Sequence, residues 1–595
     1  MKKKNYFLCT LAALMFASCS ENLPDDGDEG NGATNTDGEA WVSLNIQTGA
    51  RTKALNNPDE ENGTADESNV EKIMIVFFDD HLSNNANPGV VETKEWDSSD
   101  PEISTPGQPD GTATKAFKVK KTAKAFMVVL NPSPEFELVA GTATSFSTLN
   151  AAIATTDVTS VIGSGKNYFM MTNAKGQLEP TTVTLTSPVS VVDTDLVTYP
   201  TAAEAESKPQ KVTVDRVAAK VRLFANASYT GNSIDVTTVG WALNVTNKKY
   251  FPMSERTATW MEGGGTTGPN DGSPRGTFIS PFDIWEFGSY RKDPNYDGQK
   301  TSMTDITTTP YTDNYTYYTH ASAPTWSGVT AGPSTNPNAS KIPALYCLEN
   351  TQEEDDNYQA YTTHVLLKAT TVPTGLKLPG GGSYDGTTNN DTDVDGSGSV
   401  ISGKDWIKIG SGYYSYKLVI KYIEAELTSK YADNDPDNFS TPFTTTFNSY
   451  LAYLEGKGVA GVTAVTIPTK TAFDALPGAD DAARIGTVAG YFYQAGVITH
   501  GADMYGSISY YKGGDTYYTI MIKHDNDTND TNNKLGEFGV VRNSVYDITI
   551  KSIMNPGYPV IPDPDPEKKD EEEEAYMSIE IGINPWTWYE QGVEL

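Results

Sequence analysis

With 77 acidic against 44 basic side chains, a formal charge of −33 and a pI near 4.5, this chain carries the same sign as nucleic acid and anionic lipid, which argues against both as partners. Its 595 residues can support several cores, of which two are expected because β-domains are large. After the leader no apolar run approaches the ~20 residues that cross a bilayer.

The first residues read as an address. Lys2, Lys3 and Lys4 precede an apolar run from Phe7 to Phe16, and Phe16-Ala17-Ser18-Cys19 places small residues before a cysteine. That is the pattern of a secretory signal over 1–18. The cysteine resembles that of a bacterial lipobox, with Phe16 where Leu is commoner, so Cys19 is expected to take lipid and become the new N-terminus; an ordinary secreted chain with a chance cysteine is the alternative. Cys9 then leaves with the signal and Cys347 alone remains in the folded part, as a buried small hydrophobe rather than a nucleophile. No internal disulfide is expected.

Residues 19–51 form a leader of two parts. Ser20 to Glu39 is Asp, Glu, Asn and Gly with almost nothing apolar, a disordered tether. Ala40-Trp41-Val42-Ser43-Leu44-Asn45-Ile46 then alternates as a strand, and nearly the same phrase returns as Ala575-Tyr576-Met577-Ser578-Ile579-Glu580-Ile581. In register, Val42, Leu44 and Ile46 match Met577, Ile579 and Ile581, and Ile583 extends the second set. Side chains two apart share a face, so the two strands suit one groove, one as placeholder and the other as its replacement. Two half-buried strands also look alike by chance, or because they pair as neighbours. Between the placeholder and the body of the chain, Thr48-Gly49-Ala50-Arg51-Thr52-Lys53 sets one arginine among small residues, the kind of exposed segment that a trypsin-like protease cuts. A lone loop arginine usually means nothing. Its position gives it meaning here, because cleavage between Arg51 and Thr52 removes the anchor, the tether and the placeholder strand together.

The first domain is expected over 52–208. Val70 to Phe78 reads as a central strand apolar on both faces, Lys115 to Lys121 and Ala125 to Leu130 as two more, Phe146 to Ile153 as a short helix, Tyr168 to Asn173 as a buried strand end and Thr181 to Leu185 as a further alternating strand. Gly163-Ser164-Gly165-Lys166-Asn167 fails as a phosphate loop for want of the first glycine and of a hydroxyl after the lysine.

The second domain is expected over 209–555. Lys211 to Leu223, Trp241 to Val245, Tyr361 to Ala369, Tyr413 to Ile423, Thr516 to Ile522 and Val540 to Ile553 read as strands, Thr266 to Ser340 as long loops and Pro442 to Leu454 as a helix. Asp391, Asp393 and Asp395 with Gly396 have the opening spacing of an EF-hand calcium loop, but Ser402 stands where a bidentate Glu belongs, and a solvated acidic loop accounts for the same residues. The five histidines are scattered, no catalytic motif is present and no enzyme is expected. No cofactor beyond that possible Ca²⁺ is implied. Residues 556–574, with Pro559, Pro562, Pro564, Pro566 and an acidic run, read as a stiff spacer of roughly 3 Å per residue that holds the last strand, 575–595, away from its own domain. A strand with one apolar edge face on an arm needs a partner, most simply another copy.

The lipobox, the Arg51 junction, Val541-Arg542-Asn543-Ser544-Val545-Tyr546, the Pro-Asp spacer and the tail from Met577 to Trp586 together resemble the Bacteroidales fimbrillins, subunits of type V pili, most closely shaft subunits of minor, Mfa-type fimbriae. The resemblance implies an all-β fold with minor α content, built of two transthyretin-like β-sandwiches. It also implies export as an outer-membrane lipoprotein, cleavage by an arginine-specific protease and head-to-tail polymerisation by strand exchange with other copies and accessory subunits. The function it points to is the shaft of an adhesive, biofilm-supporting fimbrium. A tip adhesin or anchor subunit shares these features. A surface lipoprotein that binds glycans is a reading of another class, for which the nine Trp and 33 Tyr offer stacking platforms.

Overall fold

The computed structural model describes residues 38–48, 61–82, 85–101, 103, 112–173, 195–230, 233–254, 291–296, 305–331, 343–353, 356–378, 381–432, 443–456, 461–497, 508–524, 537–570 and 577–587. The expected strand at Thr181–Leu185 and most of the expected loops at Thr266–Ser340 lie outside them.

The first half is built on β1 (Glu39–Val42), β2 (Leu44–Thr48), β3 (Glu61–Asn62), β4 (Lys72–Phe78), β5 (Val90–Asp97), β6 (Thr112–Ala113), β7 (Phe117–Lys120), β8 (Ala125–Leu130), β9 (Met171–Thr172) and β10 (Gln210–Arg216). Seven of these form one sheet in the order β5-β4-β8-β9-β10-β2-β6. Ile73 to Phe78 of β4 are all buried, as a strand apolar on both faces requires. One face is covered by β7, which alternates buried Phe117 and Val119 with exposed Lys118 and Lys120; the Phe117 ring lies 4.9 Å from Trp96 and 6.2 Å from Phe77. α1 (Pro134–Ala140) and α2 (Phe146–Leu149) add Phe136, Phe146 and Leu149 to the same core. α1 starts where it does because Ser133 caps it, its Oγ accepting from Phe136 N at 3.1 Å, with Pro134 in the first turn.

β10 belongs to the first sheet, and the chain changes sheets at Val217, whose N–H donates to Met170 O; this is later than the boundary expected before 209. The second half is a sandwich. One sheet runs β14 (Leu345–Leu348), β11 (Ala218–Phe224), β20 (Ser544–Ile553), β21 (Met577–Thr587), β3; the other runs β12 (Ser228–Thr230), β13 (Ile234–Asn244), β15 (His364–Pro373), β19 (Asp515–Met521). Val221 and Leu223 from one sheet meet Trp241, Val365, Leu367 and Ile520 from the other in a single core.

Where the two halves join, buried charged groups pair with one another. Glu67 is buried beside Lys220 Nζ at 2.9 Å and accepts from the Tyr346 hydroxyl at 2.5 Å. Arg216 Nε donates to Glu67 O at 2.9 Å, Arg222 pairs with Asp547 at 2.6 Å, and Arg542 pairs with Glu349 at 2.9 Å. Burial raises the Glu67 carboxyl's pKa, the adjacent Lys220 charge and the hydrogen bonds lower it, and the net direction is downward.

The sandwich carries an inserted helical unit between β15 and β19, the largest departure from the sequence reading. Tyr413–Ile423, expected as a strand, becomes β17 (Gly412–Tyr414) and then α3 (Tyr416–Ala432). Tyr416, Leu418, Ile420 and Tyr422 do alternate, but Tyr416, Val419, Ile423, Leu427 and Tyr431 recur at helical spacing and share one core. The expected helix is α4 (Phe443–Gly456), and α5 (Lys470–Asp474) and α6 (Asp481–Val497) join it against a small sheet of β16 (Trp406–Ile409), β17 and β18 (Ile508–Tyr511). Outside this insert the chain is predominantly β.

Candidate functional site

The leader strand spans two sheets: β1 pairs with β7, and β2 is an interior strand of the first sheet. Val42 and Leu44 are 0% exposed and Ile46 is 3% exposed, all within the main core, so the three residues singled out for their spacing do share a buried site. The backbone is held on both sides. β1 pairs antiparallel with β7, from Glu39 against Lys120 to Val42 against Phe117, and Trp41 exchanges two 2.8 Å hydrogen bonds with Tyr199 on its other edge. At Ser43 the strand changes partners. From Leu44 it runs parallel to β10, Leu44 against Gln210 through Thr48 against Val214, and on the opposite edge β6 pairs antiparallel with Asn45 and Ile46. The crossover is pinned by side chains: Ser43 Oγ donates to Thr114 O at 2.8 Å, and Leu44 N donates to Thr114 Oγ1 at 3.0 Å. At the outer end Lys118 pairs with Glu39 at 3.2 Å and lies 5.6 Å over the Trp41 ring. Two of these walls were legible as strands, β7 from its alternation and β10 within Lys211–Leu223, but not their pairing with the leader; Thr112–Thr114 and Tyr199 carry no pattern of their own.

The C-terminal strand is not on a free arm. β21 pairs antiparallel with β20 of the same chain: Met577 faces Ile553, Ile579 faces Ile550, Ile581 faces Ile548 and Ile583 faces Tyr546, with a register shift at Ile550/Ser552. Its far end, Trp586 and Thr587, runs parallel to Glu61 and Asn62 of β3, the first described residues after the Arg51 junction. The proline segment likewise corrects the expectation of a stand-off spacer. Tyr517 and Tyr558 exchange hydrogen bonds of 2.9 and 2.8 Å, Ala360 N donates to Asp565 O, Gln359 N donates to Lys568 O, and Thr362 Oγ1 donates to the buried Asp570 at 2.5 Å. Gly557 lies so close to the Tyr517 carbonyl that no Cβ fits there. Ile561 is buried too. Proline stiffness sets an extended path, and the Tyr558, Val560 and Ile561 side chains among the prolines were the signal that this path lies on the domain surface.

Cys19, Arg51 and Thr52 lie outside the described residues. The calcium expectation is corrected. Asp391 is buried and accepts from Tyr384 Oη at 2.8 Å and Ser415 Oγ at 2.6 Å; Asp393 pairs with Lys404 at 3.2 Å; Asp395 accepts from Ser397 N at 2.9 Å and Ser399 N at 3.0 Å. Each carboxylate is spent on a different local partner, and among the described residues no three ligating side chains come together for a metal ion. Cys347 is buried, which pushes its thiol up to about 12 and leaves it protonated and inert.

Comparison with known proteins bears on the C-terminal end of this arrangement. Residues 509–592, which include β19, β20 and β21, match the family profile of the major fimbrial subunit protein type IV, fimbrillin, C-terminal region. No curated protein matches the chain. Among solved structures, a protein provisionally assigned to cell adhesion from Parabacteroides distasonis aligns at 10% identity over 93% of this chain and 99% of its own, with a TM-score of 0.37. A fimbrilin from Porphyromonas gingivalis aligns at 11% identity over 93% and 99%, TM-score 0.31, and the tip fimbrial protein Mfa3 of the same organism at 10% over 92% and 100%, TM-score 0.30. At such scores the weight rests on the sequence match. Over residues 509–592 the chain is thus similar to the C-terminal region of a fimbrillin, the family that its sequence resembles.

Proposed function

We propose that this chain is a shaft subunit of an adhesive, biofilm-supporting cell-surface fimbrium, made as an outer-membrane precursor lipidated at Cys19 and activated by cleavage between Arg51 and Thr52. The subunit then accepts Met577, Ile579, Ile581 and Ile583 of a neighbour where Val42, Leu44 and Ile46 had been, and accessory subunits join the same polymer. One observation carries the reading: a segment on the leader side of Arg51 pairs along both edges, as β1 with β7 and Tyr199 and as β2 inside the first sheet, with three apolar side chains in the core. Removing it leaves open an apolar slot lined by unpaired backbone, which β-strand addition fills.

The correspondence extends beyond the apolar residues. Ser578 stands where Ser43 binds the Thr114 carbonyl, Tyr576 where Trp41 lies under Lys118, and Glu574 where Glu39 pairs with it. Each apolar side chain inserted contributes about 1.5–3 kcal/mol, and the contact is heterologous, so it propagates as a filament instead of closing. Replacing Arg51 by Ala tests this. The expected result is uncut, lipidated monomer, while wild-type fibres begin at Thr52; normal fibres from the variant, or mature subunits that retain Trp41, overturn the reading.

A further inference from the structure

We propose that the helical insert carries a binding site for a neutral saccharide, in a cavity of about 420 Å³ where α3, α6 and the loop 390–393 meet. The site is separate from both exchanging strands, and its argument does not rest on how the subunit polymerises. The volume is that of a small-ligand site.

Two glycines make the room. Gly486 and Gly490 sit one turn apart within α6 and line the cavity, and a Cβ at either position meets nothing within 4 Å. Packing does not call for glycine there, and in a helix interior glycine is among the least favourable residues. What the missing side chains achieve is an open floor beside Tyr493, which follows Gly490 by three positions on the same helix and is 45% exposed. Tyr416 of α3 lines the cavity as well but is 8% exposed, so the Tyr493 ring is the surface open to the apolar face of a pyranose.

The opposite wall holds Asn390, Asp391, Asp393 and Lys417, and its charges are already engaged. Asp393 pairs with Lys404, which is not itself part of the lining, Lys417 Nζ donates to the Asn390 carbonyl at 2.5 Å, and Asp391 is bonded to two hydroxyl groups. That leaves no unengaged charge to hold an ionic ligand, and a chain of net charge −33 repels an anionic one at a distance. What remains is a wall of amide, carboxylate and ammonium groups suited to exchanging hydrogen bonds with hydroxyls, facing the Tyr493 ring and bare helix backbone. A neutral polyhydroxyl ring fits both.

The test titrates the full chain with the methyl glycosides of glucose, galactose, mannose and N-acetylglucosamine, read by saturation-transfer NMR and calorimetry, with N-acetylneuraminate as an anionic control. Binding of at least one neutral glycoside, weakened tenfold or more by Gly490→Leu and by Tyr493→Ala, supports the site. Gly490→Ala controls for folding, since the space is empty and alanine favours the helix: its melting temperature should hold or rise while affinity falls. No neutral glycoside bound at about 10 mM, binding untouched by all three variants, or preference for N-acetylneuraminate overturns the proposal.

Discussion

The leader strand and the C-terminal strand carry nearly the same apolar phrase in different settings. β1 and β2 are gripped on both edges, by β7 and Tyr199 before Ser43 and by β10 and β6 after it. β21 is held along one edge by β20, and on its other edge among the described residues only by the two-residue β3. A strand held on one edge can peel away one bond at a time, whereas one inside a sheet must break two ladders at once. Under the proposed strand exchange this gives a natural direction: the C-terminal strand would move without covalent change, and the leader would leave only when the chain is cut. Moving β21 into the vacated slot would trade a one-edged ladder for a two-edged one, favouring the polymer over the monomer once the slot is open and making the joint slow to dissociate.

The largest effect expected from this asymmetry is loss of assembly on deleting residues 575–595. A chain cut at Arg51 but lacking the last strand should retain a folded first half with an empty slot and form no fibres, as seen by electron microscopy. A synthetic peptide spanning 574–587 should bind it, and the uncut precursor should refuse that peptide. Fibres from the deletion variant, or equal peptide binding before and after cleavage, would break the comparison.

Next in size is Leu44→Ala, which empties a fully buried site and should cost the precursor about 2–5 kcal/mol. Under the proposed cleavage the mature fibre no longer contains Leu44, so its resistance to denaturant should equal that of wild type. Ile581→Ala is the mirror case on this reading, weakening the fibre more than the precursor. If Leu44→Ala weakens fibres and precursor alike, the leader has not been replaced.

Much of the sheet framework was legible because its strands are buried in simple patterns. Val70 to Phe78 is apolar on both faces and sits inside a sheet; Phe117 and Val119 alternate with lysines and sit on top of one. The leader's burial could be read from Val42, Leu44 and Ile46, since a period of two needs only a short window. What the leader touches could not, because pairing joins Leu44 to Gln210, 166 positions further along the chain, with no local mark of that partnership at either end. The insert misled for a related reason: over eleven residues Tyr413–Ile423 satisfies both periods, and only the continuation to Leu427 and Tyr431 separates them. The proline segment and Asp391 show a third kind of limit. Proline fixes a path and aspartate offers oxygen, but docking at Tyr517 and hydrogen bonds from Tyr384 and Ser415 are decided by distant residues.

Acid should separate the two halves. His364 is buried in β15, its Nδ1–H donating to Thr362 O at 3.0 Å, and burial depresses its pKa from the ordinary 6.5 to about 4. Below 6.5 the unfolded chain takes up a proton that the folded one refuses until about 4, so this contribution is present above pH 6.5 and is lost as pH falls toward 4, by at most about 3 kcal/mol. In the first half His81 is partly exposed and bonded to Asp195 at 2.9 Å. Hydrogen exchange at pH 5 should therefore show β15 and β19 loosening before β4 and β8, and His364→Gln should flatten the pH slope of stability over that window. An unchanged slope in the variant removes His364 as the cause.

The smallest effect is the most discriminating. Ser43→Ala removes the hydrogen bond to the Thr114 carbonyl where the leader changes partners, and should cost the precursor about 1 kcal/mol. Under strand exchange Ser578 takes over that carbonyl in the fibre, so Ser578→Ala should cost the joint a similar amount per contact while leaving the first half of the uncut precursor untouched. The two variants thus report one acceptor atom in two assembly states. Measuring unfolding of each precursor and dissociation of each fibre gives four values, and the prediction is that two change and two do not. Should Ser578→Ala leave fibre dissociation unaltered while Ile581→Ala accelerates it, the C-terminal strand occupies the slot in a different register from the leader, and the residue-by-residue match between the two strands fails beyond their shared apolar face.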